Sequence, residues 1–353
     1  MVSGGGWAYG VRTNEGVKPG QDVPWLAEVQ RYDNPPSADT LALAPLLIDA
    51  QGQPIQSLSA WKEKRATIRE RWLDFLGSLE PNPRRAALKV LEEDRPTAVV
   101  RQLVEYEGEP GIVVRGYLIK PQDIDEPRPG VLALHSTVDH TIRQPAGIQG
   151  VPEKAFGLKL AQLGFVTFSP ENFLWHNKGE RTYQEQVQRF KARHPGSKGM
   201  AKMLFDASRG LDVLASLGEV DPKRLGTIGH SLGGKEALYL AAFDRRVRVA
   251  VSSEGGIGTR FSNWEAPWYL SEAIGEFGHE HHELLALVAP RPFLLVGGNG
   301  ADGEQSCPFI EAALPVYSLY GRPRRVGLLN HEQGHSVPPI AELRSYQWLL
   351  TYL

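Results

Sequence analysis

Five residues between positions 229 and 233 have the types and spacing of a serine nucleophile. Gly229-His230-Ser231-Leu232-Gly233 fits the pattern G-x-S-x-G, with a β-rich run before it and a small-residue helical run after it. The serine of this pattern sits on a tight turn, where larger residues two positions away would clash with the backbone. The turn exposes the hydroxyl and points the first helix amides at an oxyanion. Ser231 is therefore predicted to be the nucleophile. Lys235, one turn later, is interpreted as a solvated or substrate-edge charge.

Two histidines near the C-terminus compete for the role of general base. His331-Glu332-Gln333-Gly334-His335 fits H-E-x-x-H, which binds zinc when a helix brings both histidines to one face. The run Arg325–Leu329 before it is β-rich, a glycine interrupts it, and Pro338-Pro339 follows, so a loop is expected and no metal site. The chain order Ser…acid…His places the base between the last strand and the C-terminal helix. His335 is the predicted base, with His331 as the alternative.

Two carboxylates could orient that histidine. Asp302 follows the predicted strand Phe293–Val296 by a few residues, which is the usual place of a triad acid. Glu254 follows the preceding strand, and the glycines after it allow a tight turn at the same edge of the sheet. Position favours Asp302, and both side chains could contact His335.

The backbone amides of Leu232 and Thr137 are the predicted oxyanion donors, because Thr137 lies in the loop after the strand Gly130–Leu134. Aromatic residues that follow strands or lie in the irregular stretch 259–278 are candidate substrate contacts, with core packing as the alternative. These residues are Trp175, Trp264, Trp268 and Tyr269. His279, His281 and His282 are interpreted as solvated or pocket-lining residues, not as metal ligands.

The rest of the chain predicts the fold that positions these groups. Val99–Tyr106 and Ile112–Ile119 indicate an antiparallel hairpin. Six further strands are predicted at Gly130–Leu134, Phe165–Phe168, Leu225–Ile228, Val247–Ser252, Phe293–Val296 and Arg325–Leu329. Helices between them are predicted near Lys154–Leu163, Gly199–Leu217, Gly233–Ala242, Phe309–Tyr320 and Pro339–Tyr352. This alternation is typical of an α/β fold, a mostly parallel sheet with helices on both faces.

Residues 1–98 are predicted to be an N-terminal wrapping segment before a catalytic domain at 99–353. Up to Pro54 this segment has little periodicity, whereas Ser59–Leu79 and Arg84–Leu91 have helical spacing.

Composition narrows the function classes. The chain has 353 residues, a formal net charge of −2 and one cysteine, Cys307. Near-neutral charge argues against nucleic acid or an anionic membrane as the main partner, and one cysteine excludes an internal disulfide. There is no apolar run long enough to span a bilayer, and residues 1–10 lack the features of a secretion signal. A cytoplasmic location is expected, or a secreted one if the N-terminus is processed. The oligomeric state is not predicted.

With these residues identified, the chain resembles the dienelactone-hydrolase and acetyl-xylan-esterase branch of the α/β-hydrolases over roughly Val99–Leu353. The resemblance rests on four motifs, His135-Ser136-Thr137, Gly229–Lys235, Ala289-Pro290-Arg291-Pro292 and Gly334-His335-Ser336. A partial likeness to glucuronoyl esterases rests on Ser231, Gly234, Lys235 and Glu254, which matches the place of the acid in many of them. The chain differs from those enzymes at Leu232, where they carry an arginine.

The resemblance implies an α/β-hydrolase fold with an N-terminal helical or extended segment. The expected activity is hydrolysis of carboxylic esters through an acyl-enzyme, without a cofactor, on a small-molecule ester or on acetyl or other esters of carbohydrates. The alternatives are hydrolysis of lactones, dienelactones or C–C bonds, a peptidase, and a non-catalytic binding module on the same fold.

Overall fold

A nine-stranded sheet forms the centre of the described part of the protein. The computed structural model describes residues 21–32, 41, 43–77, 79 and 87–353. The strands are β1 Lys89–Asp94, β2 Val99–Glu107, β3 Val113–Pro121, β4 Arg128–Leu134, β5 Val166–Pro170, β6 Val220–His230, β7 Val247–Ser253, β8 Phe293–Gly297 and β9 Val326–Asn330. Their order in the sheet is β1-β2-β3-β5-β4-β6-β7-β8-β9.

The sheet is antiparallel at one end and parallel through the rest. β2 and β3 form the predicted hairpin, and β3 pairs antiparallel with β5. From β5 through β9 every neighbouring pair is parallel. The carboxyl ends of β4 and β6 to β9 therefore meet at one edge, where ligands of such sheets bind. The prediction of a mostly parallel sheet and of its six strands is confirmed, although β6 begins at Val220, earlier than predicted.

Helices cover both faces of the sheet. They are α1 Leu58–Leu76, α2 Phe156–Gln162, α3 Tyr183–Arg193, α4 Gly199–Ser216, α5 Leu232–Phe243, α6 Ile274–Phe277, α7 His282–Val288, α8 Cys307–Ser318 and α9 Pro339–Tyr352. Adjacent residues of β4 belong to opposite faces: Leu132 packs in the larger apolar core and Val131 in the smaller one. α2 and α9 contribute to the smaller core, and α1, α4, α5, α7 and α8 to the larger one. The five helices predicted between the strands are confirmed to within a few residues.

The predicted helix Arg84–Leu91 is wrong in its described part. Residues 84–86 lie outside the described residues, and Lys89–Asp94 is strand β1, paired antiparallel with β2. β1 is largely exposed, and Val90 is 50% accessible. The apolar residues of this segment have helical spacing, but the segment forms an edge strand because its backbone hydrogen-bonds to β2.

The described part of the N-terminal segment packs onto the core of the sheet and its helices. Ser57 caps α1 by accepting from the Ala60 amide at 3.2 Å, and Gly77, with φ +64°, ends it. The predicted helix Ser59–Leu79 is thus confirmed but ends at Leu76. Nearer the N-terminus, Trp25 stacks on Trp348 of α9 with ring centroids 5.6 Å apart. The wrapping predicted for residues 1–20 lies outside the described residues.

Trp72 of α1 connects this segment to the rest of the core. It is fully buried and donates from Nε1 to Glu283 Oε2 of α7 at 2.7 Å. Its ring lies 4.8 Å from that of Phe277 and 5.2 Å from that of His281. No helix in the described ranges is long and apolar enough to cross a membrane.

Replacing Trp72 tests whether α1 is part of the cooperative unit. We expect Trp72→Ala to lower the free energy of unfolding by about 3–5 kcal/mol, because a large cavity forms and the Glu283 carboxylate loses a donor. Denaturant unfolding measures this change. Glu63→Ala, at an exposed position of the same helix, is the matched control and should shift it by less than about 0.5 kcal/mol. Equal, small shifts would show that α1 does not stabilise the core of the sheet and its helices.

Candidate active site

Ser231 occupies a strained turn between β6 and α5. Its backbone has φ +61° and ψ −118°, an unusual conformation for a residue other than glycine. A Cβ on Gly229 would lie 2.1 Å from the Gly233 carbonyl oxygen, and one on Gly233 would lie 2.4 Å from that of Leu134. Both glycines of the motif are therefore required by close backbone approach. The Ser231 amide donates to the Ser253 carbonyl at 2.8 Å, which ties the turn to the end of β7.

His335 lies beside this turn and is oriented by Glu254. Its Nδ1 is 2.9 Å from Glu254 Oε2, and its ring centroid is 4.7 Å from that of His230. Because the carboxylate accepts, Nδ1 carries the proton and Nε2 is left as a base. His335 keeps 44% of its side chain exposed, whereas the Glu254 side chain is fully buried.

The Glu254 carboxylate is held by backbone amides from the loop after β8. Its Oε2 also accepts from the Ala301 amide at 2.5 Å, and its Oε1 accepts from the Gly298 amide. Glu254 itself has φ +49°, and its amide donates to the Val296 carbonyl at 2.7 Å. The backbone turn directly after β7 thus aims the carboxylate across the β8 loop towards His335.

The preference for Asp302 as the carboxylate partner of His335 is wrong. The Asp302 oxygens accept from the Gly256 amide at 2.7 Å, the Ile257 amide at 2.8 Å and the Ser306 hydroxyl at 2.9 Å. Burial raises the pKa of Asp302, while these donors lower it. Asp302 therefore fastens the chain just after Glu254, and Glu254 takes the place at the imidazole.

His331 is not on a helix and does not face a metal site. Its amide donates to the Gly297 carbonyl at 2.7 Å, and its Nδ1 accepts from the Gln333 amide at 3.2 Å. Burial lowers the pKa of His331. The segment 331–338 is irregular between β9 and α9, as the sequence predicts, so the two histidines of H-E-x-x-H do not share a helix face.

The two predicted oxyanion donors lie on adjoining segments. Leu232 is the first residue of α5, and Thr137 is exposed in the loop after β4. Among the hydrogen bonds of the described ranges, none uses the Leu232 or the Thr137 amide as a donor. The loop abuts the elbow, since a Cβ on Gly233 would also lie 2.9 Å from the His135 carbonyl oxygen. Both amides are therefore available to a ligand.

A buried chain of hydrogen bonds supports the Thr137 loop. His135 Nδ1 donates to the Ser136 carbonyl at 2.7 Å, so its Nε2 accepts from the Asn172 amide at 3.0 Å. Burial lowers the pKa of His135 to about 4, which keeps the ring neutral. Asn172 Nδ2 donates to Glu236 Oε1 at 2.9 Å, and burial raises the pKa of Glu236 to about 8. Sequence reasoning missed Asn172 and Glu236 because the contacts join residues 37 and 64 positions apart.

Lys235 is buried in an aromatic environment and is not solvated. Its Nζ donates to the Ser262 hydroxyl at 2.8 Å and lies 3.9 Å from the ring centroid of Trp264 and 5.0 Å from that of Tyr269. Burial lowers the pKa of Lys235 to about 7. The aromatic faces stabilise the cation, which offsets part of its desolvation.

The four aromatic residues predicted to contact substrate differ in how far their side chains are exposed. Trp264 is completely buried and donates to the Gly256 carbonyl at 2.7 Å, so its predicted direct contact with substrate is wrong and it packs in the core. Tyr269 and Trp175 are buried to 3% and 7% exposure, while Trp268 is partly exposed. Trp175 lies 5.1 Å from His135, at the base of the oxyanion loop. Trp268 is therefore the most accessible of the four.

The three histidines near 280 have protein partners. His281 is fully buried, with its Nε2 2.8 Å from the Tyr239 hydroxyl and its Nδ1 2.6 Å from the Ile257 carbonyl. His282 Nε2 bonds the Ala44 carbonyl at 2.9 Å, and His279 Nδ1 lies 3.0 Å from Glu283. In the part of the chain that the structure describes, no group of three acidic, histidine or cysteine side chains is arranged to hold a metal.

The fold and this arrangement are those of an α/β-hydrolase. Residues 114–266 match the model of the Dienelactone hydrolase family. Among solved structures, a glucuronoyl esterase from Solibacter usitatus has a TM-score of 0.69 at 19% identity, covering 92% of this chain and 99% of that one. An acetyl xylan esterase from Paenibacillus sp. R4 has a TM-score of 0.55 at 16% identity, covering 94% and 100%.

The chain also has relatives in sequence. "Putative hydrolase YtaP" of Bacillus subtilis (strain 168) is 27% identical over 248 residues, which are 66% of this chain and 80% of that protein. A 4-O-methyl-glucuronoyl methylesterase of Hypocrea jecorina (strain QM6a) is 26% identical over 42% of this chain and only 38% of its own length. The resemblance to the dienelactone-hydrolase branch, with its glucuronoyl-esterase likeness, is confirmed. The chain has the α/β-hydrolase fold, and the proteins that it resembles in sequence include a hydrolase and an esterase.

The raised pKa of Glu236 predicts how the stability of the protein depends on pH. Its folded pKa of about 8 exceeds its ordinary value of 4.5, so its contribution to stability is fully present below pH 4.5 and is lost as the pH rises to about 8. Glu236→Gln removes this titration but keeps an acceptor for Asn172. We expect the variant to gain stability relative to the wild type across that interval, on the order of a few kcal/mol. Denaturant unfolding of both proteins at the two ends of the interval measures the difference. Parallel pH profiles would show that Glu236 is ionised in the fold.

Proposed function

We propose that the protein is a serine esterase in which Ser231 is the nucleophile, His335 the general base and Glu254 the acid that orients it. The observation that carries the proposal is the 2.9 Å hydrogen bond between His335 Nδ1 and Glu254 Oε2, beside an elbow that holds Ser231 at φ +61°. An imidazole held in this tautomer beside a serine on such a turn is the requirement for nucleophilic attack on an acyl carbon.

The reaction proceeds in two halves. His335 Nε2 takes the proton of the Ser231 hydroxyl as its oxygen attacks the ester carbonyl, and the Leu232 and Thr137 amides bind the oxyanion. The tetrahedral intermediate collapses, and the alcohol leaves with the proton from His335. Water then attacks the acyl-enzyme in the same way and releases the acid. Glu254 accepts the hydrogen bond from His335 Nδ1 and stabilises the imidazolium each time it forms.

Asp302 acts in this mechanism as a positioning residue. It binds the Gly256 and Ile257 amides and so fixes the turn that gives Glu254 its left-handed backbone. Glu254 in turn accepts from the amides of Gly298 and Ala301, in the loop that also contains Asp302. The two carboxylates therefore cross-link the loops after β7 and β8.

The proposed substrates are esters of carbohydrates. Proteins that the chain resembles along most of its length are named as glucuronoyl and acetyl xylan esterases. Trp268 offers a partly exposed aromatic surface near the oxyanion loop, and aromatic side chains stack on sugar rings. Leu232, where glucuronoyl esterases carry an arginine, is fully buried, so the oxyanion would be bound without a cationic side chain from that position. This difference from the glucuronoyl esterases favours acetyl or other acyl esters over glucuronate esters.

Lactone hydrolysis is the second candidate function. It is favoured by the match of residues 114–266 to the Dienelactone hydrolase family. The same nucleophile, base and oxyanion donors open a lactone, which is an internal ester, without any further catalytic group.

Paired variants test the proposed roles. We expect His335→Ala and Glu254→Gln to lower kcat/KM for an aryl acetate by about a thousandfold or more, since each removes or misorients the base. His331→Ala should retain activity within about tenfold, because the His331 ring accepts from the Gln333 amide and is not the partner of Glu254, which is bonded to His335. Steady-state kinetics on all variants measures the effect, with thermal unfolding as the control for folding.

Asp302→Asn distinguishes the two carboxylates. It should lower the thermal midpoint and cost less activity than Glu254→Gln, because it loosens the turn without removing the imidazole partner. Full activity of Glu254→Gln together with an inactive but folded Asp302→Asn would assign the acid to Asp302 and overturn the proposed arrangement.

A substrate panel tests the acyl and alcohol classes. Acetylated xylo-oligosaccharides, a methyl glucuronate ester, an aryl acetate and a dienelactone would be compared by kcat/KM. The proposal predicts the highest value for an acetylated saccharide, with Ser231→Ala as the inactive control. A dienelactone preference would replace the carbohydrate assignment, and a methyl glucuronate preference would show that the buried Leu232 does not select against that ester.

A further inference from the structure

A basic cleft lies at the opposite end of the sheet from the candidate active site. Its cavity volume is about 1170 Å³, and its lining includes Arg248, near the start of β7. Glu254 follows the other end of the same strand. Six residues of extended chain separate the two positions by about 20 Å. The cleft is therefore a separate site, distinct from the elbow and its oxyanion loop.

Four segments of the fold supply positive charge to this cleft. α1 contributes Lys62, Arg65 and Arg69, whose spacing of three and four residues places them on one helix face. The α5–β7 turn together with the start of β7, the turn before β8 and the segment before β9 supply the rest. These residues are Arg245, Arg248, Arg291, Arg322 and Arg325. Eight basic side chains thus line the cleft in a chain whose net charge is −2. Only two acidic side chains, Glu70 and Asp74, accompany them.

Part of this charge already has partners within the protein, since Arg291 donates to five backbone carbonyls and Arg65 donates to the Leu287 carbonyl. The remainder is free to meet a ligand. In the described ranges, no ion pair involves the basic residues of the cleft except that of Arg325 with Asp22, at 2.6 Å. Arg65 Nε is buried without a hydrogen-bond acceptor, and burial lowers the pKa of Arg65. Arg245, Arg248 and Arg322 are exposed, so their guanidinium groups can reorient towards a ligand. Like charges this close repel, and a bound anion would relieve the repulsion.

We infer that this cleft binds an acidic oligosaccharide, with its carboxylates on the exposed Arg245, Arg248 and Arg322. Guanidinium groups bind planar carboxylates through two parallel hydrogen bonds, and seven of the eight basic side chains are arginine. Glu70 and Asp74 on the same α1 wall can accept hydrogen bonds from hydroxyl groups, which a sugar has and a polyphosphate lacks.

A sparsely charged glycan fits the cleft better than a nucleic acid does. A duplex presents one negative charge per about 1.7 Å, and such a ligand would bring phosphates against Glu70 and Asp74. The pocket volume also matches a ligand of a few sugar rings. The inference rests on the proposed function for its substrate class: the site would retain an acidic glycan while esters on that glycan reach Ser231 at the other end of the sheet.

Binding to the intact protein tests the inference without turnover. The ligand is a short oligomer of galacturonic acid, titrated into Ser231→Ala protein by calorimetry at low and high salt. We expect binding that weakens as salt is raised, and a loss of about tenfold or more in affinity for Arg245→Gln/Arg248→Gln. The matched control is Arg115→Gln/Lys191→Gln, which removes two positive charges from β3 and α3, outside the cleft. It should change the affinity less than about twofold.

Three outcomes would overturn the inference. These are absence of binding, equal weakening by both variant pairs, and tighter binding of tripolyphosphate or duplex DNA than of the galacturonate oligomer. Activity on an aryl acetate is measured in parallel with Ser231 intact. Wild-type turnover by Arg245→Gln/Arg248→Gln is expected and separates a failure of the cleft from a failure of the esterase proposal.

Discussion

The contact on which the site depends is the hydrogen bond between Glu254 and His335, residues 81 positions apart in the chain. It forms because β7, β8 and β9 are parallel neighbours, so the loops that follow them meet at one edge of the sheet. The loop after β8 lies between the other two and supplies the Gly298 and Ala301 amides to the carboxylate. Without that order of strands, Glu254 and His335 would not meet.

Two residues with strained backbones lie at this edge, and hydrogen bonds from neighbouring strands hold both of them in place. Ser231 and Glu254 both have positive φ, at +61° and +49°. The Ser231 amide is bonded to Ser253, the residue before Glu254, so the two strained turns share one anchor at the end of β7. The apolar faces of β6 and β7 are buried under helices on both sides. This packing stabilises the fold and so offsets the cost of the two strained turns.

Much of the fold and the two ends of the proposed triad could be predicted from sequence. The G-x-S-x-G turn and the histidine after β9 carry local patterns with a physical cause, and the parallel strands are apolar runs that read as buried strands. The acid could not be ranked in this way. Asp302 has the expected position, but the turn that aims Glu254 depends on amides contributed by another loop, which no local pattern reveals.

Other elements escaped prediction for different reasons. β1 is exposed and forms because it pairs with β2, so the helical spacing of its apolar residues wrongly predicted a helix. α3 is polar, yet its capping box between Thr182 and Glu185 was a signal that could have found it. The aromatic residues were identified, but only the contact geometry separates the buried Trp264 from the accessible Trp268.

The central claim is that the elbow serine is activated by the imidazole beside it. Treating the protein with a fluorophosphonate and locating the adduct by mass spectrometry of the digested chain tests that claim most directly. The account predicts one adduct, on the peptide containing Ser231, and its loss in folded His335→Ala protein. An adduct on a different serine, or none on active and folded protein, would contradict it.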